Sequence, residues 1–301
     1  MDQIAFVFAG QGAQTVGMGK DLYERFGSAR EVFDLAGEQI KTLCFEGPAE
    51  ELNRTVHTQP CLFAMDLACA RVLEENGVHA GGAAGFSLGE IPALTCAGLM
   101  SGREAYDFVC LRAQAMQRCA EKHPGAMLAV LKLSAAGVER VCESIPETYP
   151  VNYNCEGQTV VACALKSAEA LQEAVAAAGG KCIRLAVGGA FHSPFMEEAA
   201  GEIARYLKDK TFGEPRIPLY SNVTAERYGD PGKLLSLQVK SPVLWQKTVE
   251  TMISDGFDTF IEVGPGKTLS GLIRKISGSV RVLHVSDMAS LEETLTEVAH
   301  A

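Results

Sequence analysis

Three features that assign a protein to a special class are missing from this sequence: a long apolar run, an excess of basic residues and closely paired cysteines. No apolar stretch approaches the roughly 20 residues that a membrane-spanning helix needs. The first residues contain neither the basic segment nor the cleavage site of a secretory signal peptide. We therefore expect a cytoplasmic protein that does not bind a membrane.

The charge balance is acidic. The chain has 27 Lys and Arg against 37 Asp and Glu, a formal net charge of −10. Because nucleic-acid binding needs a basic face, this balance argues against a nucleic-acid partner. It leaves room for an acidic protein partner that meets a local basic patch.

Ten cysteines are present, but no two have the Cys-x-x-Cys spacing of common zinc and redox sites. Most lie in apolar segments, as Cys69, Cys96, Cys110 and Cys119 do. Free thiols buried in a reducing compartment are the expected outcome, and no metal site is predicted.

The sequence Gly-Phe-Ser-Leu-Gly-Glu at residues 85–90 carries the strongest chemical signal. A short run of small residues before it is typical of a buried strand, and the residues after it favour a helix. A Gly-x-Ser-x-Gly between strand and helix predicts a nucleophile elbow, in which a tight turn raises the serine above the sheet. The N–H groups at the start of the following helix would face an oxyanion formed on Ser87.

Arg112 lies on an apolar stripe of the helix predicted over residues 102–121, with Phe108 and Met116 one turn away on either side. A buried guanidinium is costly unless an anion meets it. Two interpretations stay open: an internal ion pair with a buried acid, or a socket for a substrate carboxylate.

The sequence pattern of residues 126–189 predicts the order strand, helix, strand, strand, helix, strand. That order within about 65 residues is typical of a ferredoxin-like unit. We therefore predict two parts: a core formed by residues 1–125 and 190–301, and an inserted subdomain over residues 126–189.

Two further loops place chemical groups outside the predicted core. A strand over residues 3–9 runs into a glycine-rich turn that can present the N–H of Gln11 to a pocket. After the subdomain, two glycines precede His192 at the mouth of a helix, which places an imidazole on a loop at the junction of the two parts.

Six motifs occur in one order along nearly the whole chain: FAGQGAQ at 8–14, GFSLGE at 85–90, Arg112, GAFHSP at 189–194, SPVLW at 241–245 and EVGPG at 262–266. With them the chain resembles the malonyl-CoA:acyl-carrier-protein transacylases, an acyltransferase family of fatty acid and polyketide synthesis. The resemblance implies an α/β-hydrolase-like core that carries a ferredoxin-like (βαββαβ) insert.

The resemblance also implies roles for individual residues. Ser87 corresponds to the nucleophile and His192 to its base, steadied by a backbone carbonyl whose match here is Leu244. The backbone N–H groups of Gln11 and Leu88 correspond to the oxyanion hole.

The same family binds the malonyl carboxylate with an arginine, which corresponds to Arg112, and places a glutamine that corresponds to Gln59 beside the acyl group. It implies malonyl-CoA as substrate, no bound cofactor and no metal. The phosphopantetheine thiol comes from an acidic acyl carrier protein. We predict that this partner docks near Arg274 and Lys275, and that the enzyme is a monomer.

The chain departs from the family at three positions, where Phe86, Ala9 and Ile91 replace the more usual His, Pro and Tyr. None of them removes a catalytic group, but Phe86 leaves the strictness for malonyl open. Two other functions are weighed: an editing acyl-thioester hydrolase, which Arg112 disfavours, and a catalytically silent docking module, which the intact Ser87 and His192 disfavour. Fatty acid and polyketide pathways are not distinguished.

Overall fold

The computed structural model describes residues 3–300 of the chain. Its strands are β1 (Ile4–Phe8), β2 (Gly82–Gly85), β3 (Gly125–Leu131), β4 (Thr148–Cys155), β5 (Gln158–Ala164), β6 (Lys181–Arg184), β7 (Leu219–Tyr220), β8 (Thr259–Val263) and β9 (Arg281–Val285). Its α-helices are α1 (Lys20–Arg25), α2 (Gly27–Ala36), α3 (Glu38–Phe45), α4 (Ala49–Leu52), α5 (Thr55–Glu75), α6 (Glu90–Ala97), α7 (Gly102–Lys122), α8 (Ala135–Glu143), α9 (Ala168–Ala177), α10 (Glu197–Leu207), α11 (Pro231–Gln238), α12 (Trp245–Ser254), α13 (Thr268–Ile276) and α14 (Met288–Ala299).

The larger sheet has five strands in the order β7-β2-β1-β8-β9, and every neighbouring pair is parallel. Strands β1 and β8 are apolar and buried, as strands covered by helices on both faces must be. Phe8, the last residue of β1, is in register with Gly85 of β2 and Val263 of β8. The loops that leave these three strands therefore start at one edge of the sheet, where ligands bind in open α/β folds.

The smaller sheet is antiparallel, with its four strands in the order β4-β5-β3-β6. Helices α8 and α9 cover one face, where Leu128, Val161 and Leu171 belong to a separate apolar cluster. This is the strand order of the ferredoxin-like unit, so the fold predicted from the sequence, a core with a βαββαβ insert, is confirmed. The boundaries at 125/126 and 189/190 stay a prediction.

The other face of the small sheet packs into the main core through residues such as Met127, Val160 and Ala162. Strand β4 is also tied to the segment before α12, because Val243 donates its N–H to Val151 O and accepts from the N–H of Tyr153. The two sheets therefore hold between them the loops that leave β1, β2 and β8. Among residues 3–300, no helix combines the length and the apolar composition that crossing a membrane requires.

Candidate active site

Ser87 lies on a sharp turn between β2 and α6. Its φ is +53°, a left-handed conformation that serine rarely adopts, and a 3₁₀ turn over Ser87–Gly89 leads into the helix. The glycines on either side are required by close approach: a Cβ at Gly85 would overlap the backbone of Gly89, and one at Gly89 would overlap the carbonyl of Phe8. The geometry expected of a nucleophile elbow is therefore present.

His192 completes a hydrogen-bonded pair with this serine. Its Nε2 lies 2.7 Å from Ser87 Oγ, and its Nδ1 lies 2.8 Å from Gln238 O. Because a carbonyl only accepts, Nδ1 carries the proton and Nε2 is free to accept from the serine hydroxyl. Burial, and then the nearby Arg112 cation, lower the pKa of His192 to about 4, so the ring is a neutral base near pH 7.

The carbonyl that orients His192 is not the one predicted. Leu244 is the N-cap of α12, and its carbonyl accepts from the N–H and the hydroxyl of Thr248, both at 2.9 Å. The prediction for Leu244 is wrong because that carbonyl begins the hydrogen-bond ladder of α12. The last residue of α11, Gln238, supplies the carbonyl instead.

Arg112 reaches the same centre from α7 and is 1% exposed. It donates to Gln59 Oε1 at 2.7 Å, to Gln238 Oε1 at 2.8 Å and to Ser87 Oγ at 3.3 Å. Burial lowers its pKa to about 10, which still leaves a cation at neutral pH. Within residues 3–300 no carboxylate makes an ion pair with it. Its charge is held by neutral amides and faces the nucleophile.

Two residues that the sequence interpretation missed hold the elbow from both sides. Asn222 accepts the N–H of Ser87 at 2.8 Å and donates to Gly85 O at 2.6 Å. Gln238 donates from its side chain to Ser87 O at 2.8 Å. Because the N–H of Ser87 is already bonded, that group is not available as an oxyanion donor. Nothing local in the sequence marks these amides; only the closeness of β7 to β2 brings Asn222 to the turn.

Glu90 holds Asn222 in place through a hydrogen bond. It is fully buried, its Oε2 accepts the N–H of Asn222 at 2.9 Å, and its Oε1 accepts from the hydroxyl of Tyr228. Burial raises the pKa of Glu90 above its ordinary value, and these hydrogen bonds and the positive charge of Arg112 offset only part of that rise. The acid that follows the elbow motif is therefore a support of Asn222 and does not itself reach Ser87.

The two predicted oxyanion donors lie on either side of Ser87. Leu88 follows it in the 3₁₀ turn. Gln11 lies in the turn after β1, and that turn packs on the elbow because a Cβ at Gly10 would lie 2.6 Å from Phe86 O. In the described part of the chain no acceptor meets the N–H of Gln11, whose side chain donates to Thr55 Oγ1 at 3.2 Å.

A cleft of about 400 Å³ opens beside the elbow, between the turn after β1, α13 and the small sheet. Gln11 and Phe86, the residue before Ser87, are among its lining residues, and the ring of Phe86 packs edge-on against Trp245 at 5.5 Å. Asn152 and Asn154 of β4 line its wall, and each has a buried side-chain oxygen without a hydrogen-bond partner. Buried amides in this condition are suited to a ligand that donates N–H groups.

Comparison with known proteins identifies the architecture. Residues 5–292 match the family model described as acyl transferase domain. The chain belongs to the acyl transferase family. Within the described residues of this acyl transferase, no group of His, Cys, Asp and Glu could hold a metal ion.

Two curated relatives match this acyl transferase over nearly its whole length. Malonyl CoA-acyl carrier protein transacylase of Bacillus subtilis is 37% identical over 99% of this chain and 98% of its own. The protein of the same name from Escherichia coli K12 is 37% identical over 98% of this chain and 99% of its own.

Solved structures agree with the sequence relatives. The malonyl CoA-acyl carrier protein transacylase of Clostridium perfringens superposes with a TM-score of 0.95 at 36% identity, covering 99% of this chain and 98% of its own. A type II PKS acyl-carrier protein in complex with its malonyl-transacylase gives 0.94 at 35% identity, covering 98% and 99%. These are the chains to which the acyl transferase described here is similar.

Proposed function

We propose that this protein moves a malonyl group from malonyl-CoA to the phosphopantetheine thiol of an acyl carrier protein, through a malonyl ester on Ser87. The observation that carries the proposal is the buried Arg112 cation, which lies 3.3 Å from the nucleophile and has only neutral partners. A carboxylate at the end of an acyl chain bound to Ser87 would supply the missing charge. The names of the relatives and the complex with a carrier protein support the same reaction.

The first half-reaction loads the enzyme. His192 Nε2 takes the proton of Ser87 as its oxygen attacks the thioester carbonyl of malonyl-CoA. The tetrahedral oxyanion accepts from the backbone N–H groups of Gln11 and Leu88. When the intermediate collapses, the carbon–sulfur bond breaks, and the CoA sulfur leaves with the proton from His192.

The second half-reaction is the reverse with another thiol. The carrier protein's phosphopantetheine thiol gives its proton to His192, attacks the malonyl ester and releases Ser87 as the hydroxyl. Both thiols carry the same arm, whose amide N–H groups suit the free oxygens of Asn152 and Asn154 in the cleft. No electron is transferred in either half, so we propose that the enzyme works without a redox cofactor or a metal.

We propose that the acidic carrier protein docks near Arg274 and Lys275 in the last turn of α13. Both side chains are exposed, although Arg274 donates to Val282 O at 2.9 Å. Lys275 lies 3.5 Å from Gln158 Oε1, and Gln158 lines the cleft. A partner held there would stand where its arm can enter. We further propose a monomer that works in the cytoplasm.

Amides also position the acyl group. Gln59 Oε1 is bonded to Arg112, while its amide N–H lies 3.4 Å from Met116 Sδ. Gln59 and Gln238 therefore hold the two terminal nitrogens of the guanidinium, and we propose that the malonyl carboxylate lies against its plane. An editing hydrolase of neutral acyl groups would gain nothing from such a cation, which favours the transferase.

Trapping the acyl-enzyme tests the proposal. The protein is mixed with malonyl-CoA, and its intact mass and Ser87 peptide are measured before and after adding holo carrier protein. We expect one malonyl group on Ser87, none in Ser87→Ala, and transfer of the group to the carrier thiol. Discharge to water at the same rate with and without carrier protein would identify a hydrolase. An adduct that persists in Ser87→Ala would reject Ser87 as nucleophile.

A further inference from the structure

An acidic side chain lies in the core of the protein without a partner. Asp66, in the middle of α5, has no exposed surface, and neither of its carboxylate oxygens accepts a hydrogen bond from the described residues. A buried carboxylate normally accepts two or more such bonds or pairs with a cation. The reaction described above gives this residue no task.

The position of Asp66 is close to the catalytic edge of the large sheet. Gly264, the first residue after β8, has φ +115°, and a Cβ there would collide with Asp66 Oδ1. The same Cβ would lie 3.1 Å from the Cβ of Ala9, which precedes the turn that carries Gln11. Ala9 is also bonded to this segment, since its N–H donates to Val263 O at 3.1 Å. The carboxyl group of Asp66 therefore lies directly behind the backbone that leads to a proposed oxyanion donor.

The groups that face Asp66 disfavour a negative charge there. One of these groups is Glu262 on β8, and its two oxygens accept the N–H groups of Leu269 and Ser270 at 3.0 and 2.7 Å. From α5 itself comes Cys69, whose thiol is buried and whose pKa is raised by that burial. Burial, followed by the field of Glu262, raises the pKa of Asp66 well above its ordinary value. No cation in the described part of the chain pairs with it.

We propose that Asp66 is a positioning residue that supports the Gln11 turn in its neutral form and disturbs that turn when it loses its proton. A neutral carboxyl group can lie against Gly264 without a counter-charge. An anion at the same place would draw in water or N–H donors. The backbone that lies against it is Gly264, and the preceding residue, Val263, is bonded to Ala9 just before the Gln11 turn. The inference rests on the proposed function, because it assigns Gln11 to the oxyanion hole.

The consequence is an alkaline limit on loading, below the pKa of about 10 of Arg112, that neither Ser87 nor His192 explains. Single-turnover loading of Ser87 from malonyl-CoA should be measured from pH 6 to pH 9, where Arg112 keeps its charge and no attacking thiol is involved. Asp66→Asn keeps the shape of the side chain but cannot ionise. We expect the rate of the parent to fall about tenfold per pH unit once Asp66 titrates, and that of the variant to stay level.

Glu75→Gln is the matched control. It makes the same carboxyl-to-amide change on α5, at an exposed site. Its profile should follow that of the parent. Parent and Asp66→Asn profiles that coincide would overturn the proposal, provided that both enzymes load at all.

A measurement of thermal stability tests the protonation of Asp66 whether or not the proposed function is correct. A raised pKa in the folded protein means that stability is full below the ordinary value of 3.8 and is lost as pH rises toward the folded pKa. The melting temperature of Asp66→Asn minus that of the parent should therefore grow as pH rises above about 4. A constant difference would refute the neutral Asp66.

If Asp66→Asn does not fold, the parent protein alone decides. With carbon-13 in its aspartate carboxyl groups, one resonance should keep the chemical shift of a neutral acid at a pH where the other aspartates have ionised, and it should titrate in step with the loss of loading. Aspartate signals that all titrate together in the ordinary range would overturn the proposal. A neutral aspartate in an enzyme that does not load malonyl would instead fault the proposed function.

Discussion

The two ends of the proposed substrate path differ in how their buried polar groups are satisfied. Around Ser87, the side chains of Arg112, His192 and Gln238 all have hydrogen-bond partners. Along the cleft, the oxygens of Asn152 and Asn154 have none. The end around Ser87, called the acyl end below, is thus organised before substrate arrives, as electrostatic catalysis requires. In the cleft, the hydrogen-bond donors that Asn152 and Asn154 lack must come from the ligand.

This difference has an energetic meaning. A buried acceptor left without a donor costs about 1 to 3 kcal/mol, and a ligand that supplies the donor recovers part of that cost. Changes at the acyl end should therefore alter the rate of chemistry, and changes in the cleft should alter binding. The four predictions below test that division.

The largest loss is expected from His192→Ala. Without the base, both half-reactions should slow by a factor of about 10² to 10⁴. Burial and the Arg112 cation depress the pKa of His192 to about 4. The ring stays a neutral base above that pH, so loading by the parent should not fall on acidification until the pH approaches 4. Rapid-quench loading and transfer measure both effects, with His123→Ala, a partly buried histidine outside the site, as control. A defect confined to the transfer step would make His192 a docking residue.

Arg112→Ala should change which acyl group is carried more than whether any is carried. Stranding the malonyl carboxylate costs about 3 to 5 kcal/mol, a loss of roughly 10² to 10³ or more in malonyl loading. Acetyl-CoA has no carboxylate to strand, so acetyl loading should hold steady or rise. Arg118→Ala on the same helix, where the cation pairs with Glu202 at the surface, is the matched control.

The measurement is the pair of loading rates on Ser87 with the two thioesters. Equal losses in the malonyl and acetyl loading rates would mean that Arg112 serves only to hold Gln59 and Gln238 in place. The preference for a carboxylate would then need another source, and the acyl end would no longer differ from an ordinary hydrolase site.

Asn152→Ala and Asn154→Ala should each raise the KM for malonyl-CoA by about three- to tenfold and leave kcat unchanged, since a hydrogen bond to the arm is lost without change at Ser87. Asn53→Ala is the control, because that amide lies on the same cleft but already accepts from Gln14 at 2.7 Å. A fall in kcat without a change in KM would remove the distinction between cleft and acyl end.

The smallest effect is expected from reversing the charges of Arg274 and Lys275 to Glu. The KM for carrier protein should rise a few-fold, as for rim charges at other interfaces, while that for malonyl-CoA stays constant. Arg205→Glu with Lys208→Glu is the matched pair: two exposed cations at the C-terminal end of another helix, α10. If both pairs act alike, or if both substrates are affected equally, the docking surface is rejected.

The sequence was a good guide wherever a motif fixes backbone geometry locally. The Gly85 and Gly89 positions demand a turn that only glycine permits, so the elbow could be predicted without the rest of the chain. The strand and helix order of residues 126–189 likewise fixed the small sheet, because each element is short and strongly patterned. The Ser-x-x-Glu pattern of residues 101–104 likewise predicts a capping box, and Ser101 and Glu104 form one at the start of α7.

Prediction failed where the deciding partner is remote in sequence. Leu244 and Gln238 both lie close to a change of chain direction, and only the packed structure shows that the carbonyl of Gln238, 46 residues after His192, is the one that accepts from it.

The elbow is assembled from parts that are made late. Ser87 is 105 residues from His192, 135 from Asn222 and 151 from Gln238, and each of them lies after it in the chain. During synthesis from the N-terminus, Ser87 therefore leaves the ribosome long before His192, Asn222 and Gln238 have been made. Until residue 238 has emerged and folded, His192 lacks the carbonyl that orients it, and we expect the nascent chain not to consume thioesters. Activity thus reports completion of most of the fold, and a truncated product that lacks α11 should leave the acyl-CoA pool untouched.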